Sequence, residues 1–430
     1  MRNSIEYYFD RLFPINRSLT GNGNRETLKI LSELVDLKIY EVPSGTNCFD
    51  WTVPPEWNVK EAWVKNSKGE KVIDFEKSNL HLLGYSEPFK GKLSLSELRQ
   101  HLHSLPNQPG LIPYMTSYYK KRWGFCITHT QLESLPEDEY EVLIDSSLDE
   151  EGSMTYGEAF IEGEQKEEIF FSTYICHPSL ANNELSGPLV TAHLYKELKK
   201  RKKPRYSYRF VFIPETIGSI YYLSVNGEDL RKKMIAGYVV TCIGDNGPFT
   251  YKRSRRKNTI TDRVAELILK QTETDYKIYD FFPTGSDERQ YCSPGFNLPV
   301  GSLMRTMYGK YPEYHTSADN RDFISFAAME ESVNKYLSII DVIENNKMYI
   351  NRLPYCELQL GKRGLYPTLG SQKGMADFVK GIMWLLNLAD GKHDLIDIAN
   401  LSNLPIESFF DVIEKLREQG ILEIKEQVIV

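Results

Sequence analysis

The sequence predicts an α/β protein with a mostly parallel sheet flanked by helices, a small inserted β domain and a C-terminal winged-helix-like domain. Three observations support this fold class. Apolar runs typical of buried strands alternate with helical patterns between about residues 139 and 344, which favours a parallel sheet covered on both faces. Short apolar runs separated by turn residues precede this part, and three helical segments with a β tail follow it.

Length and composition predict a globular protein of two or three domains. The chain has 430 residues, of which 41% are hydrophobic and 12% aromatic. Its net charge of −7 argues against nucleic acid as the main partner. Two basic runs, at 199–203 and 253–257, are more typical of a solvated helix end and an exposed loop than of anion-binding patches.

The cysteines and the N-terminus predict a soluble cytoplasmic protein. Six cysteines are scattered along the chain without a CxxC pair, which excludes the usual zinc-ribbon spacing and is typical of a reduced, intracellular protein. The N-terminus lacks the apolar segment of a signal peptide, and no apolar stretch is long enough to span a bilayer.

The first third of the chain predicts one helix followed by an inserted β domain. Residues 25–35 have helical spacing, and a region rich in proline and tryptophan follows them. Short apolar runs at 62–64, 71–75 and 123–126 then alternate with turn signals. We therefore expect a β domain at 49–131, inserted into a larger domain formed by residues 1–48 and 132–348.

The central part predicts the strands and helices of the main sheet. The predicted strands are 141–144, 169–175, 208–213, 237–242 and 298–303. One helix is expected from Pro188 to about Lys200, since proline suits a first helical position. A second helix is expected from Ile324 to about Glu344 and closes this domain.

Residues 349–430 predict a winged-helix-like domain that contacts protein and not DNA. Helices are expected near 383–386, 395–399 and 406–419, with a β tail after them. The helix that would enter DNA carries an excess of acidic residues, which phosphates would repel. They are Glu407, Asp411, Glu414 and Glu418, against Lys415 and Arg417. The expected partner of this domain is a second copy of the chain or another protein.

Polar residues follow four strands of the central part, where an active site is expected. They include His177, Glu215, Asp245 and His315. A zinc site that catalyses hydrolysis needs neutral imidazoles and carboxylates as ligands, an open position for water and a carboxylate base. His177, Asp245 and His315 would supply the ligands, and Glu215 the base. Singly, each has an ordinary explanation as a core, capping or turn residue, but their succession at strand ends favours a site.

The order His…(Asn/Asp)-x-x-Ser-Gly…Glu…Asp…His resembles that of the two-zinc aminopeptidases of clan MH. More closely, the chain resembles the aminopeptidase-like proteins associated with bacterial surface-polysaccharide biosynthesis genes. The motifs that carry this resemblance lie at 12–18 (LFPINRS), 49–51 (FDW), 56–57 (EW), 123–126 (WGFC), 176–179 (CHPS), 185–187 (LSG) and 315–317 (HTS).

The resemblance implies a phosphorylase/hydrolase-like zinc exopeptidase sheet with an inserted β domain and a winged-helix-like C-terminus. It makes His177 the first zinc histidine and His315 the last. It makes Asp245 the acidic ligand after the next strand, and Glu215 the general base.

Two departures from the family pattern affect the expected metal count. Asn183, followed by Glu184, stands where an aspartate bridges both metals, and an amide brings no charge. Thr216 follows Glu215 where the family has two consecutive glutamates. If Glu215 is the general base, a carboxylate ligand of one metal is missing, and if Glu215 is that ligand, the base is missing. We expect one zinc ion, with Asn183 or Glu184 as further candidate ligands, more readily than two.

Four residues near the site are candidates for binding substrate. Asp287, Arg289, Arg305 and Tyr308 could line a pocket, and Arg289 or Arg305 could pair with a carboxylate. Structural ion pairs are the alternative explanation for these residues.

The sequence supports a zinc-dependent amide hydrolase of aminopeptidase type, acting on a peptide or on an amide-linked substituent of a surface sugar. The alternative is a non-catalytic scaffold or binding protein with a degraded metal site, which Asn183 and Thr216 favour. A DNA-binding regulator acting through the C-terminal domain ranks below both, because the chain and its candidate recognition helix are acidic.

Overall fold

The structure is a computed structural model that describes residues 1–365 and 373–425. The α-helices within these residues are α1 (Arg2–Leu12), α2 (Asn22–Leu31), α3 (Leu95–Leu98), α4 (His129–Ser134), α5 (Ser186–Lys199), α6 (Ile217–Lys233), α7 (Ile260–Thr272), α8 (Glu288–Tyr291), α9 (Phe326–Asn345), α10 (Lys373–Leu388), α11 (Leu395–Ser402) and α12 (Phe410–Glu418). The strands are β1 (Lys38–Pro43), β2 (Asn47–Cys48), β3 (Trp51–Thr52), β4 (Glu56–Lys65), β5 (Lys71–Asp74), β6 (Phe89–Ser94), β7 (Leu102–His103), β8 (Phe125–Cys126), β9 (Glu139–Asp149), β10 (Ser153–Ile161), β11 (Glu168–Tyr174), β12 (Ser207–Ile213), β13 (Met234–Val239), β14 (Phe249–Lys252), β15 (Tyr276–Tyr279), β16 (Val300–Met304), β17 (Met348–Asn351), β18 (Asp390–Asp394) and β19 (Leu422–Ile424).

A large mixed sheet forms the centre of the fold, with the strand order β1-β10-β12-β11-β13-β16-β14-β15. Its four middle strands, β12, β11, β13 and β16, run parallel to one another. Antiparallel pairs join β1 to β10, β10 to β12 and β16 to β14, and β15 pairs parallel with β14. β11 is buried along its whole length, as expected of a strand covered on both faces. This arrangement confirms the predicted α/β class, with antiparallel strands added towards the edges.

Most elements of the central part lie where the sequence predicts them. The strands predicted at 169–175 and 208–213 are β11 and β12, and the helices predicted from 188 and from 324 are α5 and α9. The edge strands β1 and β15 are not predicted. Both are exposed or only half-buried along most of their length, so they lack the continuous apolar run that marks a buried strand.

A smaller antiparallel sheet, β5-β4-β9-β6, takes three of its strands from the predicted inserted part and the fourth, β9, from beyond residue 131. The strand predicted at 141–144 is real, but it belongs to β9 and pairs with β4 and β6 in this smaller sheet. Its assignment to the large sheet is therefore wrong. The alternating burial of β9 fits one covered face of either sheet, so a local pattern cannot choose between them. Buried residues of both sheets share one hydrophobic core.

The contacts divide the chain into two compact units, the second formed by Arg263–Thr274 with the chain from Lys335 onward. In the described part of this second unit, β17, β18 and β19 form an antiparallel sheet beside α10, α11 and α12. Asp394 caps α11 by accepting from the Asp397 N–H, and Arg263 contacts both of its carboxylate oxygens, at 2.6 and 2.7 Å. Three helices with a small sheet confirm the predicted winged-helix-like domain.

Two findings bear on the predicted cellular location, which remains a prediction. All six cysteines are free thiols, and five of them are buried. Among the described residues, no helix has both the length and the apolarity that a membrane crossing needs.

Candidate metal centre

Adjacent parallel strands of the large sheet bring the predicted site residues to the same side of the sheet, at the carboxyl ends of the strands. β11 ends three residues before His177, and β12 ends two residues before Glu215. Asp245 follows β13, and His315 lies in the segment after β16. The carboxyl ends of such strands are the usual place for a ligand in an open α/β sheet.

His177 is a buried, neutral imidazole with one nitrogen free to bind a metal. Its Nδ1 lies 2.7 Å from Glu184 Oε2. Burial, followed by the charge of Arg17, lowers the pKa of His177 to about 3. A neutral ring that donates its Nδ1–H to a carboxylate presents the Nε2 lone pair, as zinc-binding histidines do.

Glu184 and Arg17 form a buried pair behind this histidine. Glu184 lies in a single π-helical turn, Ala181–Leu185, and its Oε1 is 3.7 Å from Arg17 Nε. Burial raises the pKa of the Glu184 carboxyl, and the Arg17 guanidinium opposes that rise. Arg17 also donates to the carbonyls of Leu12, at 2.7 Å, and His177, at 3.0 Å. The pair therefore connects the 12–18 motif to the site.

His315 faces His177 with a second unpartnered nitrogen. The two ring centroids are 5.5 Å apart, and the buried Nε2 of His315 has no hydrogen-bond partner among the described residues. Burial, followed by the effect of His177, lowers the pKa of His315 to about 3. His315 also has a positive φ of 56°, a strained backbone state that is concentrated at functional sites. An orphaned buried imidazole nitrogen is consistent with a metal ligand.

Glu215 supplies a carboxylate at the same point. Its Oε2 lies 3.8 Å from His177 Nε2, and its side chain is 23% exposed. Burial, followed by the nearby Asp287 charge, raises the pKa of Glu215 well above its ordinary value, and Arg289 opposes the rise. A γ-turn fixes this carboxylate, because Thr216 has φ 67° and ψ −80° and the Ile217 N–H donates to the Glu215 carbonyl at 2.9 Å.

A cavity of about 290 Å³ opens beside Glu215. Glu215 and Arg289 are the charged groups among its described lining residues. The remaining lining is neutral and largely aromatic or apolar: Leu19, Trp51, Tyr118, Tyr119, Cys176, Thr216 and Ile217. Such a pocket, mostly apolar with a few polar groups, suits a small ligand.

The contacts of Asp245 indicate a structural role and not the predicted role of metal ligand. Its Oδ1 accepts from the Gly247 N–H and the Thr306 hydroxyl, both at 2.6 Å. Its Oδ2 accepts from the Asn182 side chain at 3.0 Å and the Thr306 N–H at 3.1 Å. These four bonds use the four acceptor positions of a carboxylate, so a metal at Asp245 would have to displace one of them.

Asn183 is held near the site by its backbone and not by its side chain. Asp319 accepts from the N–H groups of Asn182 and Asn183, at 2.6 and 2.9 Å. The Asn183 Oδ1 accepts a long bond of 3.4 Å from the Tyr174 hydroxyl, and its Nδ2 has no partner among the described residues. The side chain brings no charge to replace a bridging aspartate.

Of the four predicted substrate residues, only Arg289 lines the described part of the cavity. Arg305 lies 5% exposed, pairs with Glu331 and donates to the Gly247 carbonyl at 3.0 Å. Tyr308 joins a buried network with Lys252 and Glu288. Asp287 accepts from the Thr216 N–H at 2.8 Å and the Ser219 hydroxyl at 2.9 Å. These contacts support the structural explanation for Arg305, Tyr308 and Asp287.

The donor chemistry fits one zinc ion and not two. The candidate donors at this point are the Nε2 atoms of His177 and His315 and the Glu215 carboxylate, and Cys176 and Glu184 lie with His177 in a group whose ligand atoms are all within 4.8 Å of one another. Two histidines and a glutamate are a known catalytic zinc set that leaves the fourth position to water. If Glu215 serves as the base, His177 and His315 are the two remaining ligands of that set. A second ion would need further carboxylates, whereas Asn183 and Thr216 are neutral and the Asp245 oxygens are already bonded.

Three residues of the site are not predicted as site residues. Arg17 donates a hydrogen bond to the His177 carbonyl. Asp319 accepts hydrogen bonds from the backbone N–H groups of residues 182 and 183. Tyr114 lies with its ring centroid 5.1 Å from both histidine rings, and its N–H donates to the His315 carbonyl at 2.8 Å. Arg17 could have been suspected from its place in the 12–18 motif. Asp319 belongs to the polar segment around His315, although nothing in that segment distinguishes it from its neighbours, and the sequence carries no local signal for Tyr114.

The chain matches one family model over most of its length and a second at its C-terminus. A model described as a domain of unknown function (DUF4910) covers residues 7–346, and a winged helix-turn-helix model covers residues 347–424.

Relatives from Clostridium acetobutylicum are similar over nearly the whole chain. One, whose name proposes a polysaccharide biosynthesis protein with an aminopeptidase-like domain, is 50% identical over 395 residues, which are 92% of this chain and 90% of that protein. A crystal structure from the same organism, whose name proposes a peptidase, is 47% identical, with a TM-score of 0.93 over 99% of this chain and 96% of that one. BSAP, a zinc aminopeptidase from Bacillus subtilis, is only 10% identical but has a TM-score of 0.58 over 80% of this chain and 93% of its own, which shows a shared aminopeptidase-like fold.

Proposed function

The chain belongs to the DUF4910 family, and we propose that it is a zinc-dependent amide hydrolase of aminopeptidase type. One observation carries the proposal. A carboxylate oxygen of Glu215, at the rim of a substrate-sized cavity, lies 3.8 Å from His177 Nε2, and the ring of His177 lies 5.5 Å from that of His315, whose Nε2 has no partner among the described residues.

In this proposal His177 and His315 hold zinc through their free ring nitrogens. When bound, zinc supplies Lewis-acid polarisation of the scissile carbonyl and a lowered pKa for water. Glu184 keeps the His177 ring in the orientation and tautomer that present Nε2. Asp245, predicted as a ligand, instead stabilises the loop after β13.

Glu215 is assigned the role of general base. Among the three groups it is the one that lines the cavity, where a base must reach the attacking water. An ionised carboxylate there can take up the proton of the water. Burial and Asp287 raise the pKa of Glu215, and Arg289 opposes that rise, which favours the ionised form that a base needs.

The substrate class follows from the site and from the named relative. A peptide is one candidate, and an amide-linked amino acid or acyl group on a surface sugar is the other. The name of the Clostridium acetobutylicum relative supports a place in polysaccharide biosynthesis. We extend that to this chain as part of the proposal.

The decisive experiment measures zinc by mass spectrometry in protein purified without a histidine tag or added metal. We expect about one zinc ion per chain in the wild type and none in His177→Ala. His129→Ala is the matched control, since His129 lies outside the site with its Nδ1 3.0 Å from the Ser104 hydroxyl. Wild-type protein that neither retains nor takes up zinc would refute the proposal.

A second variant tests the role of Glu215. Glu215→Gln should keep its zinc and lose hydrolysis of aminoacyl anilides or N-acyl amino sugars, because an amide cannot take up the proton. Loss of zinc together with activity would make Glu215 the third metal ligand and not the base.

A non-catalytic scaffold is the second candidate function. The neutral Asn183 and Thr216 and the fully bonded Asp245 favour it. Zinc-free protein that binds, but does not cleave, amide-bearing sugars would support this alternative.

For the C-terminal domain we propose contact with protein and not with DNA. The exposed residues of α12 include Asp411, Glu414 and Glu418 beside Lys415 and Arg417. This mixed, partly acidic face lacks the positive charge that phosphate binding needs. A gel-shift assay at low salt that shows tight DNA binding would contradict the proposal.

A further inference from the structure

Arg289 is a cation in the cavity of the candidate site that acts on the Glu215 and Asp287 charges from a distance and forms no close ion pair with a described residue. Its Nη2 donates to the Thr216 hydroxyl at 2.8 Å. Among the described residues, no carboxylate lies within 4.0 Å of its guanidinium, in contrast to Arg17, Arg209, Arg263 and Arg305, which all have one. An arginine has five N–H donors in a planar fork, so most of its hydrogen-bonding capacity remains available.

The neutral residue at position 216 keeps this charge available. Thr216 binds the guanidinium through a hydroxyl, which orients it without neutralising it. A glutamate at position 216, as in the two-zinc aminopeptidases that the chain resembles, would stand beside Arg289 and form an ion pair with it. The departure from the Glu-Glu pattern therefore leaves a positive group at the cavity wall.

The charged residues of the cavity favour a carboxylate as the ligand of the Arg289 guanidinium. Arg289 is the cation and Glu215 the acid among the described lining residues. A singly charged carboxylate matches the bidentate fork of arginine. A doubly charged phosphate would meet stronger repulsion from Glu215, and a substrate ammonium group would be repelled by Arg289.

We propose that Arg289 is a specificity residue that binds a carboxylate of the substrate close to the scissile amide. The proposal rests on the proposed amide hydrolase function and narrows its substrate class to amides that carry a carboxylate, such as an acylated amino acid or an amide next to a sugar acid. At about 290 Å³ the cavity has room for one residue or one sugar-sized group. The exposed Trp51 and Tyr119, whose rings meet edge to face at 5.5 Å, would flank that group at the cavity wall.

The test compares two probes that differ only in charge, hippurate and its neutral amide, hippuramide. Their dissociation constants are measured by calorimetry on the full chain, both stripped of metal with a chelator and loaded with zinc. We expect the metal-free wild type to prefer hippurate by about tenfold or more, since a charge-assisted bidentate contact is worth at least that factor. Arg289→Gln should abolish the preference, and Arg289→Lys should retain part of it.

Lys120→Gln is the matched control, because it removes the same charge from an exposed residue next to the cavity residue Tyr119. It should keep the wild-type preference. Equal circular dichroism and melting temperature would show that the Arg289 variants fold normally.

Three outcomes would overturn the proposal. One is a metal-free wild type that does not prefer hippurate. Another is an Arg289→Gln protein that still prefers hippurate over hippuramide in the presence of zinc. That result would show that the substrate carboxylate binds the metal, and it would not contradict the proposed hydrolase function. The third is an unchanged preference in Arg289→Gln with a shifted acidic limb of the activity profile, which would limit Arg289 to positioning Glu215.

Discussion

Replacing Glu184 with glutamine perturbs the proposed metal histidine and a buried cation in a single step. The variant keeps the length of the side chain and one acceptor oxygen, but it removes the negative charge. In the native protein that carboxylate lies 2.7 Å from His177 Nδ1 and 3.7 Å from Arg17 Nε, and the Glu184 and Arg17 side chains are fully buried. We therefore expect Glu184→Gln to weaken both zinc binding and folding.

The two effects have different sizes because they have different physical causes. A hydrogen bond to a charged group contributes about 1.5–3 kcal/mol and a neutral one about 1 kcal/mol. The lost charge should therefore weaken zinc binding by roughly 1–2 kcal/mol, or about 5- to 30-fold. The folding cost should be larger, at about 3–5 kcal/mol, because Arg17 becomes an uncompensated buried charge.

A competition titration against a chromophoric chelator measures the zinc affinity, and urea unfolding of the metal-free protein measures the stability. Glu33→Gln is the matched control, because Glu33 pairs with Arg11 at 2.6 Å on the surface. That variant should leave zinc affinity unchanged and hardly move the urea midpoint.

Each readout can refute one part of the reasoning. Unchanged zinc affinity in Glu184→Gln would show that Glu184 does not orient His177 towards a metal. Unchanged stability would show that Glu184 is protonated in the native protein, so that its carboxyl does not compensate Arg17.

Two further predictions concern stability. The Arg25 guanidinium, bonded to Glu56 at 2.7 Å, lowers the pKa of that buried carboxyl to about 2. This ion pair should stabilise the folded protein by about 2–3 kcal/mol at pH values above the pKa of Glu56 in the unfolded chain, which is near 4.3. The stabilisation should be lost as the pH falls towards 2. Urea unfolding of Glu56→Gln should therefore differ from the wild type at pH 7 and converge with it in acid. Gly187→Ala should destabilise by about 1–3 kcal/mol, because its methyl group would lie 2.4 Å from the Val240 carbonyl and 2.5 Å from the Thr173 hydroxyl; a melting temperature equal to that of the wild type would contradict this.

The sequence locates the strand ends that carry the candidate site residues, because the evidence for those strand ends is local. β11 is a continuous apolar segment, and the polar residues after it stand out against that run. His177 and Glu215 are placed correctly beside one another for the same reason, since neighbouring parallel strands end at the same edge.

The sequence cannot show which oxygen atoms remain free, because that depends on contacts between distant segments. Asp245 looks like a ligand until Asn182 and Thr306 are found bonded to it. Arg305 looks like a substrate residue until Glu331, 26 positions along the chain, pairs with it. β9 shows the same limit for the fold, since an alternating strand can face the core of either sheet.

The charges around the proposed site limit the number of metal ions that we expect it to hold. Glu184, Glu215 and Asp287 supply three carboxyl groups, and Arg17 and Arg289 lie close to them as two cations. One zinc ion would bring two positive charges to this set. A second ion would bring two more with no new carboxylate to receive them, and uncompensated charge in a buried site is costly.

Restoring the missing carboxylates should therefore restore the second ion. The double variant Asn183→Asp with Thr216→Glu supplies both acids and should raise the zinc content from about one to about two per chain. Thr216→Gln, which changes the side chain without adding charge, is the control and should remain at one. A wild-type chain that already binds two zinc ions tightly would show that the amide of Asn183 and the bonded Asp245 can act as ligands. The balance of charge around the site would then not limit the number of metal ions.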